Sequence, residues 1–144
     1  MFISIRESDP MPIYLQIVRQ IKEQILVGEL CDGEELPSVR ELGDALGISL
    51  HTARSAYRVL SDEGLLRIRL GKKTRIAAAP ASREGAFRGD GKVAIAERVR
   101  DVVVDALLFG FDASGIHGLV DRELEKLAAR REGSDGRSAV GEQR

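Results

Sequence analysis

Residues 37–76 read PSVRELGDALGISLHTARSAYRVLSDEGLLRIRLGKKTRI, and this stretch predicts two helices joined by a short turn and followed by a hairpin. The first helix begins at a capping box, in which Ser38 accepts a hydrogen bond from the first turn and Glu41 reaches back to the backbone of Ser38. Gly47 is suited to the left-handed conformation that ends a helix. The residues between the capping box and Gly47 have one apolar face, so we predict a helix of about two turns there.

The second helix begins at Ser49, which caps it, and ends at Gly64. Its apolar positions recur at helical spacing, namely Ala53, Ala56, Tyr57 and Leu60. Burial of that stripe turns a set of polar side chains outward along one surface, namely His51, Arg54, Ser55 and Arg58. We therefore interpret this surface as the part of the chain that reads its partner.

A hairpin is predicted over residues 66–76. Apolar and basic residues alternate along its first half in the order Leu66, Arg67, Ile68, Arg69 and Leu70, which is the pattern of a half-buried strand. Residues 71–73 form a turn into the returning strand at 74–76. Two helices joined by a turn and followed by a basic hairpin are typical of a winged helix-turn-helix, which makes double-stranded DNA the leading predicted partner.

Charge is distributed unevenly along the 144 residues, whose net charge is -1. Residues 1–53 carry 4 basic and 9 acidic side chains, whereas residues 54–75 carry 7 basic and 2 acidic ones. A basic stripe on the second helix and the hairpin is what phosphate neutralisation with counterion release requires. The alternative is an ordinary solvated face, or a winged helix that binds an acidic protein partner.

From Pro12 to Ile76 the chain resembles the GntR family of bacterial transcription regulators, specifically its short YtrA-like branch. The resemblance rests on spaced matches in one order: Pro12-Ile13-Tyr14-Leu15-Gln16-Ile17, Gly28-Glu29-Leu30, Leu36-Pro37-Ser38-Val39-Arg40-Glu41-Leu42, Thr52, Ala56-Tyr57, Leu60, Glu63-Gly64-Leu65, Gly71 and Thr74. It implies a homodimeric regulator, most often a repressor, that reads a palindromic operator.

The resemblance also implies DNA contacts by Arg40, Ser49, His51, Thr52, Arg54 and Gly71. Their chemistry agrees, because arginine can bind phosphate or guanine at two points, hydroxyls near a helix N-terminus can bind phosphate, and glycine lets the backbone approach the minor groove. Leu50 departs from the family pattern and is suited to a thymine methyl group. The full predicted DNA-binding set is Ser38, Arg40, Ser49, Leu50, His51, Thr52, Arg54, Arg58, Gly71, Lys72, Lys73 and Thr74.

Ahead of this region, residues 2–5 predict a short strand, and a scaffold helix begins at Pro12 and ends at Gly28. We thus expect an α+β fold that is mainly α, with a winged helix-turn-helix domain over residues 1–78 and a small-residue linker over 79–91. A helical pattern returns over 92–131, with one helix from Lys92 to Phe109 and another after Gly115. The polar, glycine-rich tail, 132–144, is predicted to be disordered.

Two helices of this size cannot bury their apolar faces on each other alone. They either fold back on their own DNA-binding domain or pair with the same hairpin of a second subunit, and we predict the C2 homodimer. The predicted dimerisation residues are Val99, Val103, Leu107, Ile116, Leu119, Val120, Leu124 and Leu127. The pattern does not distinguish simple packing from swapped helices.

Other functional classes find little support in the sequence. There is one cysteine, Cys31, which fits a reducing cytoplasm, and no apolar run approaches the length of a membrane span. With only His51 and His117 as histidines, we expect no metal site, and we expect no other cofactor. We do not expect an enzyme, because phosphate-loop and nucleophile motifs are absent. Whether a small-molecule effector binds is left open, since the C-terminal helices offer little room for an enclosed pocket and the alternative is a pocket at the dimer interface.

Overall fold

The computed structural model describes residues 1–77 and 90–138, with side chains described for 1–77 and 93–133. The chain divides into two units, Met1–Pro80 and Ala81–Arg144. The predicted linker, 79–91, lies outside the described residues except for Asp90 and Gly91, which belong to a helix.

The first unit contains three helices and a two-stranded hairpin. Its helices are α1 (Ile13–Leu26), α2 (Val39–Leu46) and α3 (Leu50–Asp62), and its strands are β1 (Leu66–Arg67) and β2 (Arg75–Ile76). The strands pair antiparallel, with Leu66 opposite Ile76. This order confirms the predicted fold class, mainly helical with a winged helix-turn-helix.

The predicted signals at the ends of α2 and α3 are confirmed. The Ser38 hydroxyl accepts a hydrogen bond of 3.2 Å from the Glu41 backbone N–H, and the Ser38 N–H donates one of 2.7 Å to the Glu41 carboxylate. Gly47 ends α2 with φ 65°, in the left-handed region that glycine tolerates best. The Ser49 hydroxyl accepts from the backbone N–H of Thr52 at the start of α3.

The core of this unit joins α1, α3 and the hairpin. Its buried apolar side chains are Ile17, Val18, Ile21, Ile25, Leu30, Leu36, Leu42, Ala53, Ala56, Tyr57, Leu60, Leu65, Leu66 and Ile76. The members from α1 recur at three- and four-residue spacing, so one face of that helix supplies the scaffold predicted for it. Because α3 buries its apolar stripe here, its opposite face is left for solvent.

A third extended segment joins the hairpin, and no local pattern in the sequence predicts it. The Leu36 N–H donates to the Thr74 carbonyl at 2.8 Å, and the Ile76 N–H donates to the Glu34 carbonyl at 2.9 Å. Glu35 and Arg75 form an antiparallel bridge. The residues just before α2 therefore hold the base of the hairpin in place.

The strand predicted over residues 2–5 is wrong. This segment instead lies along α1, where three glutamine side chains bond its backbone. Each glutamine pairs with one residue of the segment: Gln24 with Phe2, Gln20 with Ser4 and Gln16 with Arg6. In each pair the side-chain oxygen accepts a hydrogen bond from the backbone N–H, and the side-chain NH2 donates one to the carbonyl of the same residue. Because side chains satisfy these backbone groups, no strand partner is needed.

The hairpin differs from its prediction in the extent of its strands. Each strand has two residues, and the apolar face expected to be buried leaves the core after Leu66. Ile68 is 49% exposed and Leu70 is 105% exposed. The alternation correctly predicts where the first strand starts, but the domain is too small to cover the apolar face along its whole length.

The second unit is a pair of helices, α4 (Asp90–Leu108) and α5 (Ala113–Ser138). α5 begins before the predicted Gly115, because the Asp112 carboxylate accepts a 2.8 Å hydrogen bond from the Gly115 N–H. Residues 132–138, the first part of the tail predicted to be disordered over 132–144, are helical and continue α5. No proline interrupts the helix after the good helix formers 128–132. Residues 139–144 lie outside the described part of the chain.

Within the described ranges, 1–77 and 90–138, none of the helices combines the length and apolarity that a membrane crossing requires.

Candidate nucleic-acid interface

The outward face of α3 carries the polar residues predicted for it. His51, Arg54 and Arg58 are exposed and Ser55 is half-buried, while the opposite stripe through Tyr57 is buried. Arg54 and Arg58 lie one helical turn apart on the same side of α3, since residues at i and i+4 share a face. α3 therefore presents hydrogen-bond donors and positive charge along one side, as a recognition helix requires.

The start of α3 adds hydroxyl and apolar groups to that face. The Ser49 and Thr52 hydroxyls share a hydrogen bond of 2.8 Å, and both lie at the helix N-terminus, where backbone N–H groups favour an anion. Leu50 is 48% exposed, so its side chain reaches solvent beside them. These positions fit the roles predicted for them, a phosphate contact for the hydroxyls and an apolar base contact for Leu50.

The start of α2 lies beside the hairpin. The hydrogen bonds from Ser38 hold the pKa of the Glu41 carboxyl below its usual value, and the positive charge of Lys73 lowers it further. Lys73 therefore lies within electrostatic range of the first turn of α2, where Arg40 is exposed. Glu41 and Lys73 are separated by about thirty residues in the sequence, so the fold places the hairpin turn within electrostatic range of the start of α2.

The hairpin turn is tight and carries the predicted basic residues. The Lys72 N–H donates to the Arg69 carbonyl at 3.0 Å, and Gly71 at the third position has φ 71°. This combination is typical of a type II turn, whose third residue needs a positive φ. Lys72 and Lys73 are exposed on it.

Thr74 differs from the other hairpin residues of the predicted interface, because its side chain is buried. It is only 7% exposed, and its backbone carbonyl is bonded to Leu36. Its alternation with the exposed Lys73 and Arg75 places it on the inner face of the hairpin. We therefore assign Thr74 to the packing of the hairpin and not to its outer surface.

Some charges of the basic stripe are neutralised by partners within the domain. Arg75 forms an ion pair with Glu35 and donates a 2.8 Å hydrogen bond to the Gly33 carbonyl, so its charge is compensated within the domain. Glu63, one of the two acids in the stripe, pairs with Lys22 of α1. Among the described residues, no ion pair involves Arg54, Arg58 or Lys72.

Two exposed arginines lie outside the predicted interface set. Arg67 and Arg69 are on the first half of the hairpin, and both are exposed. Arg67 stands opposite Arg75 in the strand pair, a like-charge arrangement that Glu35 relieves by binding Arg75. The alternation of basic and apolar residues is the signal that places both of them outward.

The predicted dimerisation residues lie on the second unit as two groups. Val99, Leu107, Leu119, Val120 and Leu124 are between 39% and 61% exposed. Val103, Ile116 and Leu127 are half-buried. The helix pair therefore leaves most of its large apolar side chains accessible within a single chain.

Comparison with known proteins places this geometry in a family. The model of bacterial regulatory proteins of the gntR family matches residues 13–76, which are α1 through β2. The chain is 32% identical over 116 residues to the HTH-type transcriptional repressor YtrA of Bacillus subtilis (strain 168), a match that covers 80% of this chain and 86% of that relative. It is 43% identical over 75 residues to the repressor NagR of the same organism, covering 52% of this chain and 31% of NagR.

Solved structures extend the similarity to most of the chain. The transcriptional antiterminator from Listeria monocytogenes EGD-e superposes with a TM-score of 0.79 at 27% identity, covering 88% of this chain and 92% of that one. YtrA from Sulfolobus acidocaldarius, a GntR-family transcription factor, has a TM-score of 0.53 at 30% identity, covering 86% and 97%. The chain therefore belongs to the GntR family and is a DNA-binding transcriptional regulator rather than an enzyme.

Proposed function

We propose that this chain is a homodimeric repressor that reads a palindromic operator in the cytoplasm through α3 and the hairpin wing (residues 66–76). The observation that carries the proposal is the group of exposed cations on these two elements. Arg54, Arg58 and Lys72 have no ion-pair partner among the described residues, so phosphates can take that role without first displacing an internal partner.

Direct readout is assigned to the first turns of α3. His51 and Arg54 reach base edges in the major groove, and Leu50 contacts a thymine methyl group. Ser49, Thr52 and Arg58 hold the phosphates beside it, while Ser38 and Arg40 do so from the start of α2. On the wing, Gly71, Lys72 and Lys73 follow the backbone and the minor groove.

The homodimer is proposed from the second unit. Exposed apolar residues on both α4 and α5 need a partner surface, and a second copy offers a matching one across a twofold axis. Such a dimer presents two copies of α3, which would bind half-sites about one helical turn apart or a multiple of that distance. The palindromic operator follows from this symmetry.

Repression is supported by the names of two similar proteins, since both YtrA and NagR of Bacillus subtilis are named transcriptional repressors. A regulator of this size represses most simply by occupying DNA that the polymerase needs.

Protection mapping tests the proposal. The full-length protein is incubated with the promoter region upstream of its own gene, and the duplex is cleaved with hydroxyl radicals. We expect two protected half-sites related by a twofold axis, together with reduced transcription from the promoter in vitro. A single asymmetric site would contradict the dimer, increased transcription would contradict repression, and absence of protection at low salt would contradict this target.

A further inference from the structure

The tip of the wing carries an apolar side chain that the fold does not use. Leu70 is 105% exposed, so its side chain stays fully in solvent on folding and adds nothing to the core. It precedes Gly71 in the turn that the bond between the Lys72 N–H and the Arg69 carbonyl closes. The leucine therefore occupies the corner of the turn, where the chain projects furthest from the hairpin.

The position of Leu70 is held by the turn. The hydrogen bond across the turn and the positive φ of Gly71 define the backbone on both sides of it. The backbone hydrogen bonds between residues 33–36 and the returning strand hold the base of the wing. A projecting apolar group on a defined backbone loses less entropy on binding than one on a flexible loop.

The residues around Leu70 indicate which kind of surface it contacts. Arg69 and Lys72 flank the turn and are exposed, and Lys73 follows. An apolar tip flanked by exposed cations is a poor match for an apolar protein surface, because such a surface would have to desolvate those charges. It matches a DNA groove, in which phosphates line both sides and base edges form the floor between them.

We propose that Leu70 is a minor-groove wedge that enters between two base pairs beside each half-site. Apolar side chains placed in this way partly unstack a base step and bend the duplex. Pyrimidine–purine steps such as TA unstack most readily, so the wedge would favour them at a position that α3 does not read. This inference rests on the proposed function, since it assigns a specificity role to one residue of that interface.

The test uses full-length protein and a duplex that the wild type itself selects from a random-sequence pool. Leu70→Ser is compared with Leu26→Ser, which makes the same change at an exposed leucine of α1 outside the interface. Affinity is measured over a range of salt concentrations. A 2-aminopurine placed successively at each step outside the α3 half-sites reports unstacking by its fluorescence.

We expect Leu70→Ser to weaken binding about tenfold, which corresponds to the burial of part of one leucine side chain. The slope of log affinity against log salt should stay the same, because an apolar contact releases no counterions. The rise in 2-aminopurine fluorescence at one step should disappear with Leu70→Ser and persist with Leu26→Ser. Thermal unfolding of Leu70→Ser should match that of the wild type, since the leucine side chain is fully exposed in the fold.

Equal affinity and equal fluorescence for Leu70→Ser and the wild type would overturn the wedge while leaving the proposed function intact. A fluorescence rise that Leu26→Ser also abolishes, or a wild type that raises the fluorescence at no step, would overturn it as well. If the wild type selects no duplex at all, the proposed function fails rather than this assignment alone.

Discussion

Tyr57 connects the core to the start of α2. Its ring is buried, and its hydroxyl donates a 2.7 Å hydrogen bond to the Pro37 carbonyl. Burial raises the pKa of the Tyr57 phenol above its ordinary value of 10.0, and the negative charge of Glu41 raises it further. Because the pKa is higher in the folded state, the stabilisation is complete below about pH 10 and is lost as the pH rises above it.

Tyr57→Phe should lower the free energy of unfolding by about 1 kcal/mol at neutral pH, since it removes one hydrogen bond to a carbonyl. It should also make the stability less sensitive to pH above about 10, because the buried phenol is gone. Urea denaturation at several pH values measures both effects. Tyr14→Phe, at the other tyrosine, is the control, and identical alkaline profiles for the two variants would contradict this role of Tyr57.

Arg54→Ala should weaken operator binding by about 1–3 kcal/mol and relax the preference at one base position if Arg54 reads a base. If it holds a phosphate, all sequences should weaken alike. Arg19→Ala, at an exposed arginine of α1, is the matched control. Selection from a random duplex pool with both variants measures the preference, and an unchanged affinity for Arg54→Ala would remove this residue from the interface.

At the scale of single elements, the three glutamines of α1 secure the N-terminal segment. Gln16 is buried, and its side chain accepts from the Arg6 N–H and donates to the carbonyls of Arg6 and Met11. Gln20 makes similar bonds at an exposed site. Water can replace the contacts of Gln20 more easily than those of Gln16.

Gln16→Ala should therefore destabilise the domain by about 1–3 kcal/mol, because it leaves polar backbone groups without a partner where water enters poorly. Gln20→Ala should cost less. Hydrogen exchange of the Arg6 and Ser4 amides, with denaturant unfolding of each variant, measures the difference. Equal protection of Arg6 in the wild type and in Gln16→Ala would show that the glutamine does not hold the segment.

These elements also show which features a sequence can reveal. The capping box at Ser38, the left-handed Gly47 and the buried stripe of α3 were predictable, because each depends on residues within one or two helical turns. The glutamine contacts join residues 10 to 22 positions apart, and the pairing of residues 33–36 with the wing joins residues about forty apart. Such contacts depend on tertiary packing, which leaves no local pattern.

The candidate interface likewise has features that the sequence could predict and features that it could not. The outward direction of His51, Arg54 and Arg58 follows from helical periodicity and was predictable. The burial of Thr74 and the pairing of Arg75 with Glu35 were not, because both depend on the segment before α2. The exposure of Leu70 was not predictable from strand alternation, because the alternation continues past the end of the core.

At the scale of the whole molecule, the homodimer proposed above depends on the apolar residues that α4 and α5 leave exposed. Leu124→Glu should convert the homodimer to a monomer, because a charge in an apolar interface is costly to bury. Arg122→Glu adds the same group at an exposed polar position of α5 and should leave the dimer intact. Sedimentation of full-length proteins distinguishes them, and a Leu124→Glu dimer as tight as that of the wild type would place the interface elsewhere.

Salt titration of duplex binding tests whether the exposed cations of α3 and the wing bind DNA phosphates. For the wild type on the selected duplex, log affinity should fall linearly with log salt concentration. Changing both Lys72 and Lys73 to Ala should reduce the magnitude of that slope by about two, one for each phosphate that the lysines no longer neutralise. Binding that does not depend on salt would contradict phosphate binding by these cations. A slope that the double variant leaves unaltered would contradict phosphate binding by Lys72 and Lys73.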